Sequence, residues 1–323
     1  YNVPLSACSG ESCLMTKIQA GEATGEQAVA EVTAAVDGAE MLKRIEGFQT
    51  RRITPKMFEY QLLEKAQARK MRIVLPEGED ERVLKAADDL LRREVAALAI
   101  LGDEDKIKAD AKRLGLDLSK AQLVNPAKAA NLQDYAETYA ELRKHKGVTV
   151  EQARQTMADP TYYGTMMVYK GDMDGMVSGA LNTTANTIRP AFEFIKTKVK
   201  GATVSSCMLM CLKDRINVFG DCAVLPNPTP KEVADVAISS AETARIFGVE
   251  PRVAMLSYST GSSGKGPDVD AVIEATKIAR EAAPDLPLEG PIQYDAAIDP
   301  GVAATKLPNS KVAGKATVFV FPD

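Results

Sequence analysis

The chain has 323 residues, 45% of them hydrophobic and 26% charged, with a net charge of −4. That length allows two α/β domains with a substantial core, and the mixture leaves no case for disorder or a fibre. The slight acidity argues against nucleic acid as a partner, since phosphate-backbone binding needs broad positive surface, and no apolar run approaches the roughly 20 residues of a membrane helix. Residues 1–50 open on YNVPLSACSGESC, which lacks the basic start and continuous apolar stretch of a secretory signal. They contain one helical pattern, AVAEVTAAVDGAEMLKRI, between Gly-rich stretches, and read as the tail of an upstream domain plus a linker. Five cysteines, an odd number with no export signal, suggest reduced thiols in a cytoplasmic enzyme.

From Phe58 the spacing predicts a helix over FEYQLLEKAQARK, a strand at RIVLPEG, a helix at DERVLKAADDLLRR and a strand at VAALAILG. A helix at DEDKIKADAKRLG and a short strand at QLVNP follow. This alternation predicts right-handed crossovers and a parallel sheet covered on both faces. The turn PEGEDER places acids at a helix start and reads as structural. Further helices are predicted over residues 130–146, 149–158 and 162–170. The only histidine, His145, lies in ELRKHKG, a basic helix end closed by Gly147. It reads as a solvated last turn, and its solitude excludes histidine-rich metal sites.

The stretch VSGALNTTANTIRP, residues 177–190, stands out. The apolar run 175–180 predicts a buried strand, and Pro190 suits the first position of a helix PAFEFIKTK. On that reading a loop at a helix N-terminus offers backbone N–H groups, the hydroxyls of Thr183, Thr184 and Thr187, and the Arg189 guanidinium to a phosphate-like anion. Ordinary capping by Thr and Asn beside a surface arginine accounts for the same spacing.

A second block begins near Lys200. Strands are predicted at 204–212, where Cys207 and Cys211 lie in a buried apolar run, and at 216–219, followed by the long helix TPKEVADVAISSAETARIFG. The strand RVAMLSYS, the helix DVDAVIEATKIAREAAP and a last strand, ATVFVFPD, complete the pattern. A buried strand seldom ends an α/β domain, so further sequence is expected after Asp323. The expected division is 1–50, 51–199 and 200–323.

The loop YSTGSSGKGPD, residues 258–268, follows a strand and opens a helix with Asp268 as expected N-cap. It is not a P-loop, because Ser259 stands where the first glycine belongs and Gly266 where the magnesium-binding hydroxyl belongs. It suits a flexible wall over a polyphosphate or pantetheine arm, or a mobile surface turn. Arg143-Lys144-His145-Lys146 and Lys196–Lys200 are the basic clusters. Arg143 and Arg189 matter most there, because a guanidinium fork grips phosphate bidentately. Asp221 and Asp295 stand at strand ends as possible bases or metal ligands, but with no second acid nearby the structural role is favoured.

RIVLPEGEDERVLKAA, ELRKHKG, DGMVSGALNTTANTIRPAFEFIKT, NVFGDCAV, EPRVAMLSYSTGSSG, QYDAAI and PNSKVAGKATVFVFPD, in this order, resemble the phosphotransacetylase family from about Arg51 to Asp323. The resemblance implies two doubly wound α/β domains with a cleft between them, like isocitrate and isopropylmalate dehydrogenases. It implies acetyl transfer between coenzyme A and inorganic phosphate, with coenzyme A as substrate, no bound cofactor, no metal and no covalent intermediate. A homo-oligomer in the cytoplasm is expected. Arg189, as the catalytic arginine, and Arg143 match arginines the family uses for phosphate or coenzyme A. Thr183, Thr184 and Thr187 match its acyl phosphate pocket, with Ser259, Thr260 and Gly261 as a substrate wall. In the family a coenzyme A thiol, deprotonated by an aspartate, attacks the acyl carbonyl while arginine and serine donors stabilise the oxyanion. That aspartate and a serine-arginine-glycine motif are expected beyond Asp323, and without them little activity is expected. A phosphate butyryltransferase, or a non-catalytic acetyl-CoA-sensing domain like those on some malic enzymes, is the alternative. A metal-dependent decarboxylating dehydrogenase would need a cluster of aspartates, and only isolated ones are visible.

Overall fold

A computed structural model describes residues 24, 26–27, 38–47, 54–197 and 201–322. Most of the expected upstream segment, with Cys8 and Cys13, and residues 198–200 of the basic cluster lie outside these. One unit runs from Tyr1 to Arg52 and another from Ile53 to Asp323. In the first, the described helix is α1, Gly38–Gly47.

The larger unit begins with α2, Pro55–Ala68, capped by Thr54, whose side chain accepts from the Met57 amide. Its Phe58 is buried in the core of the second sheet and stacks near Phe247. Near its other end Gln67 donates to the Arg93 carbonyl of the first lobe, at 2.9 Å. Its contacts thus reach the core of the second sheet at one end and the Arg93 carbonyl, ahead of the second strand, at the other.

The first sheet has four parallel strands in the order β3-β2-β1-β4: β1 Met71–Leu75, β2 Ala96–Leu101, β3 Gln122–Val124 and β4 Gly175–Met176. Two crossover helices, α3 Glu81–Arg92 and α4 Glu104–Leu114, cover one face, where Leu98 and Ile100 meet Leu84 and Ile107. On the other face Ala99 and Leu101 meet α5 Leu132–Leu142, α6 Val150–Met157 and α7 Pro160–Lys170. Alternate residues of one apolar strand thus fill two cores, as a doubly covered parallel sheet requires. From β1 the chain winds toward β3 and then returns to place β4 on the opposite side of β1. That reversal opens a crevice at the carboxyl ends of β1 and β4, the place where such sheets bind ligands.

The predicted strand 175–180 ends after two residues. Val177 still donates to the Val74 carbonyl at 3.1 Å, but beyond it the amides turn away from the sheet. The expected helix start at Pro190 is also corrected. A helix α8, Thr184–Pro190, begins earlier, with Thr183 as N-cap, and Pro190 is its last residue. A π-turn over Ala191–Ile195 follows, closed by the Lys196 amide on the Ala191 carbonyl at 2.8 Å. Proline can give no amide to the preceding turn, so the α-helical pattern gives way there.

The second sheet orders its strands β5-β6-β9-β7-β8. They are β5 Cys207–Cys211, β6 Ile216–Gly220, β7 Val253–Leu256, β8 Leu288–Ile292 and β9 Val318–Val320. All pair in parallel except β5, which runs antiparallel to β6. The buried strand expected at Cys207 and Cys211 is therefore an edge: Cys211 is exposed and Cys207 half-buried. An apolar run alone does not distinguish an edge strand from a central one. The helices are α9 Pro230–Ile246, α10 Pro267–Ala282, α11 Tyr294–Ile298 and α12 Pro300–Lys306. At the start of α9 Thr229 and Glu232 form a reciprocal capping box. At α10 the N-cap is Gly266, and Asp268 lies inside the first turn instead.

Candidate functional site

At the carboxyl end of β1 the chain passes through Pro76, Glu77 and Gly78. A Cβ on Gly78 would lie 2.5 Å from the Leu101 carbonyl oxygen, so only glycine permits this close approach to the end of β2. Glu77, 6% exposed, points toward the segment after β4. Its Oε2 accepts from the amides of Gly179 at 2.8 Å and Ala180 at 3.0 Å. Its Oε1 accepts from Leu181 and Asn182, both at 2.7 Å. Gly179 has a φ of +126°, a turn that suits glycine and brings these amides round to one carboxylate. Burial opposes the charge, but the backbone donors outweigh it and hold the carboxyl below its ordinary range. The backbone donors that the sequence offered to a ligand are thus taken by the protein's own carboxylate.

Arg82 closes the arrangement. It donates to the Ala180 carbonyl at 2.7 Å and grips the Asp80 carboxylate at 2.6 Å. That pairing brings the Asp80 carboxyl down to about 2. Asp80 also caps α3 by accepting from the Arg82 amide at 2.8 Å.

The threonines divide by role. Thr183 accepts from the Asn186 amide at 3.2 Å as the cap of α8. Thr187 lies on the helix with its Oγ1 3.4 Å from the Ser178 hydroxyl. Thr184 is exposed and, among the described residues, makes no side-chain hydrogen bond. Arg189, in the last turn of α8, is exposed and likewise has neither hydrogen bond nor ion pair.

Arg143 ends α5 and is only 20% exposed in its side chain. Its nearest acid is Glu193 of the π-turn, at 3.7 Å, and its Nε is buried with no hydrogen-bond partner. A buried guanidinium donor left open is costly. Glu193 is held from the other side by the Tyr139 hydroxyl, which donates to it at 2.7 Å. Burial, then the Glu193 carboxylate, push the Tyr139 hydroxyl up. The Tyr162 hydroxyl is pushed up by burial and Glu193 and pulled back by the charge of Arg189. Arg143 and Arg189 both approach the Tyr139, Tyr162 and Glu193 group, Arg143 by its contact with Glu193 and Arg189 by its charge on Tyr162. His145 is exposed in a short 3₁₀ turn closed by Gly147, as the solvated reading expects.

The loop after β7 is different. Ser259 and Thr260 are 2% and 7% exposed. The Ser259 and Ser263 hydroxyls lie 3.1 Å apart, and the Ser263 hydroxyl also accepts from the Thr260 amide at 3.1 Å. Thr260 donates to the Gln293 side chain at 3.1 Å and accepts from its amide at 3.0 Å, while the Gly261 amide donates to the Pro291 carbonyl at 3.0 Å. Lys306 donates to the same Gln293 oxygen at 2.9 Å. The base of this loop is anchored rather than flexible, and exposure is confined to Tyr258 and the tip. Among the described residues no hydrogen bond joins it to Arg143, Arg189 or the threonine segment.

Asp221, after β6, accepts from the amides of Ser206, Cys222 and Leu225 at 2.7, 2.8 and 2.7 Å. Asp295 pairs with Lys306 at 3.1 Å and accepts from the Ala296 amide. Both carboxylates have structural partners. Among the described residues no group of three or more His, Cys, Asp or Glu side chains is arranged to hold a metal ion. No described helix is long and apolar enough to cross a membrane. Sequence reasoning missed Glu77 as the anchor of the threonine segment, and missed Glu193 and Gln293. The signal for Glu77 was the glycine after it, which marks a tight approach at a strand end.

The family described as phosphate acetyl/butaryl transferase matches residues 57–323. Over 288 residues the chain is 63% identical to a phosphate acetyltransferase of Nitratidesulfovibrio vulgaris, which covers 89% of this chain but only 41% of that protein. A phosphate acetyltransferase of Corynebacterium glutamicum is 54% identical over 271 residues, covering 84% of this chain and 82% of that protein. A solved phosphotransacetylase of Staphylococcus aureus superposes with a TM-score of 0.77 at 42% identity, over 85% of this chain and 83% of that one.

Proposed function

The chain belongs to the phosphate acetyl/butaryl transferase family, and from that premise we propose that the natural polypeptide carrying it transfers acetyl groups reversibly between coenzyme A and inorganic phosphate. The observation that carries the reading is that Arg143, whose buried Nε lacks a partner, and Arg189, exposed and without a partner among the described residues, both approach Tyr162 and Glu193. Two guanidinium groups with open donors suit the phosphoryl end of acetyl phosphate. Thr184 and Thr187 add hydroxyl donors beside them, and Thr183 sets the helix that carries Arg189. Ser259, Thr260 and Gly261, their polar groups spent within the protein, anchor the base of a loop whose tip would stand against the coenzyme A arm.

In the forward step the coenzyme A thiol gives its proton to an aspartate, and its sulfur bonds to the acyl carbon. The bond from that carbon to the phosphate oxygen breaks, and inorganic phosphate departs with both bonding electrons. Arg189 holds the charge that grows on the leaving phosphate. The two lobes would flank the substrates as in the isocitrate and isopropylmalate dehydrogenases, and a homo-oligomer in the cytoplasm fits a soluble metabolic enzyme. The test is acetyl-CoA formation from acetyl phosphate and coenzyme A by the natural polypeptide. Absence of turnover in both directions overturns the reading.

A further inference from the structure

We infer that Glu77 is a positioning residue for this anion site: it occupies the backbone cradle of residues 179–182 and thereby fixes the segment that presents Thr187 and Arg189. The inference rests on the acyl phosphate reading above, and the geometry behind it is independent of that reading. Consecutive amides turned toward one point, with a glycine at positive φ, form a ready-made anion pocket. In this chain the pocket is filled from within, by a carboxylate 6% exposed that meets amides of residues 179 to 182 at 2.7–3.0 Å. A substrate phosphate has no access to those donors and must be held by side chains.

The hold extends to the arginine helix through a continuous set of contacts. Asn182, whose amide binds Glu77, donates its side-chain nitrogen to the Thr161 hydroxyl at 3.0 Å and to the Ser178 hydroxyl at 3.3 Å. Ser178 in turn lies 3.4 Å from the Thr187 hydroxyl, on the helix that ends with Arg189-Pro190. Arg82 clamps the opposite side of the segment through the Ala180 carbonyl. Since β1 supplies Glu77 and β4 leads into the segment, one carboxylate ties together the two strand ends that frame the crevice.

Replacing Glu77 by Gln keeps size and removes charge, and its NH2 then faces two amide donors in place of an acceptor oxygen. Replacement by Asp keeps the charge and shortens the reach. Amide hydrogen exchange and steady-state kinetics on the natural polypeptide separate the possibilities. E77Q is expected to speed exchange at residues 179–182 about 10- to 100-fold, with the amides of β1 and β2 unchanged. It is expected to raise the KM for acetyl phosphate about 10-fold while the KM for coenzyme A moves far less. E77D is expected to fall between E77Q and wild type in both measurements, and it decides the matter if E77Q does not fold. Unchanged exchange at 179–182, or faster exchange with an unchanged KM for acetyl phosphate, overturns the positioning role. A wild-type protein that turns over no acetyl phosphate overturns the acyl phosphate reading instead, and leaves the exchange result to judge Glu77 on its own.

Discussion

Two loops at the carboxyl ends of parallel strands look equally ready, on composition, to receive an anion, and they differ in what their polar groups are already doing. In the first lobe the backbone amides of residues 179–182 are spent on Glu77, yet the side chains beyond them are open: among the described residues Thr184 and Arg189 are exposed without partners and Arg143 keeps a buried Nε unbonded. In the second lobe Ser259 and Thr260 are buried, and their hydroxyls are paired with Ser263 and Gln293. A hydroxyl-rich sequence therefore does not by itself mark a binding site. Donors left over after the fold has used what it needs are the better mark, since an unmet buried donor carries a cost that a ligand can remove.

This difference predicts opposite outcomes for matched substitutions. Arg189→Ala removes a group with no hydrogen-bond or ion-pair partner among the described residues, so it should lower kcat/KM for acetyl phosphate by about 10²–10³-fold while leaving the thermal midpoint near that of wild type. A large fall in the midpoint with little loss of rate would reverse the contrast. Thr260→Val keeps volume but strips the acceptor of the Gln293 amide, which lies within a buried contact. It should cost about 1–3 kcal/mol of stability in denaturant unfolding, and unchanged stability would mean that the loop is not held as described.

The smallest effect concerns acid. The Asp80 carboxyl, held by Arg82, lies at about 2 when folded, below its ordinary unfolded value near ~3.9. A depressed carboxyl contributes stability that is present above the unfolded value and lost as pH falls toward the folded one. Unfolding measured between pH about 4 and about 2 should therefore show a component that Asp80→Asn abolishes. An equal slope in the variant would contradict the pairing.

Much of the frame was legible because its signals are local. The periodic run TPKEVADVAISSAETARIFG announced helix α9, and the apolar run VAALAILG announced strand β2. The misreadings came where distant residues decide. The strand predicted to continue to residue 180 stops because its amides serve a carboxylate 102 to 105 positions away, a pairing no window of sequence displays. Pro190 suits a helix start by its own chemistry, and the earlier cap by Thr183 overrode it. Strand β8 went unread because Gly290 and Pro291 argue against a strand, and they are tolerated because β8 is an edge. Helix α12 had a readable start in Asp299-Pro300, where Asp299 accepts from the Gly301 and Val302 amides. At the site, Arg143, Arg189 and the threonines were visible by residue type and spacing. Glu77 and Glu193, which set their surroundings, came into view only once the strands had brought them near.

The contrast between open and spent donors is tested most directly by titrating inorganic phosphate into the wild-type protein, Arg189→Ala and Thr260→Val in a calorimeter. The account predicts that phosphate binding is lost or weakened at least about tenfold in Arg189→Ala and retained in Thr260→Val. Retention in Arg189→Ala together with loss in Thr260→Val would contradict it and move the anion site to the second lobe.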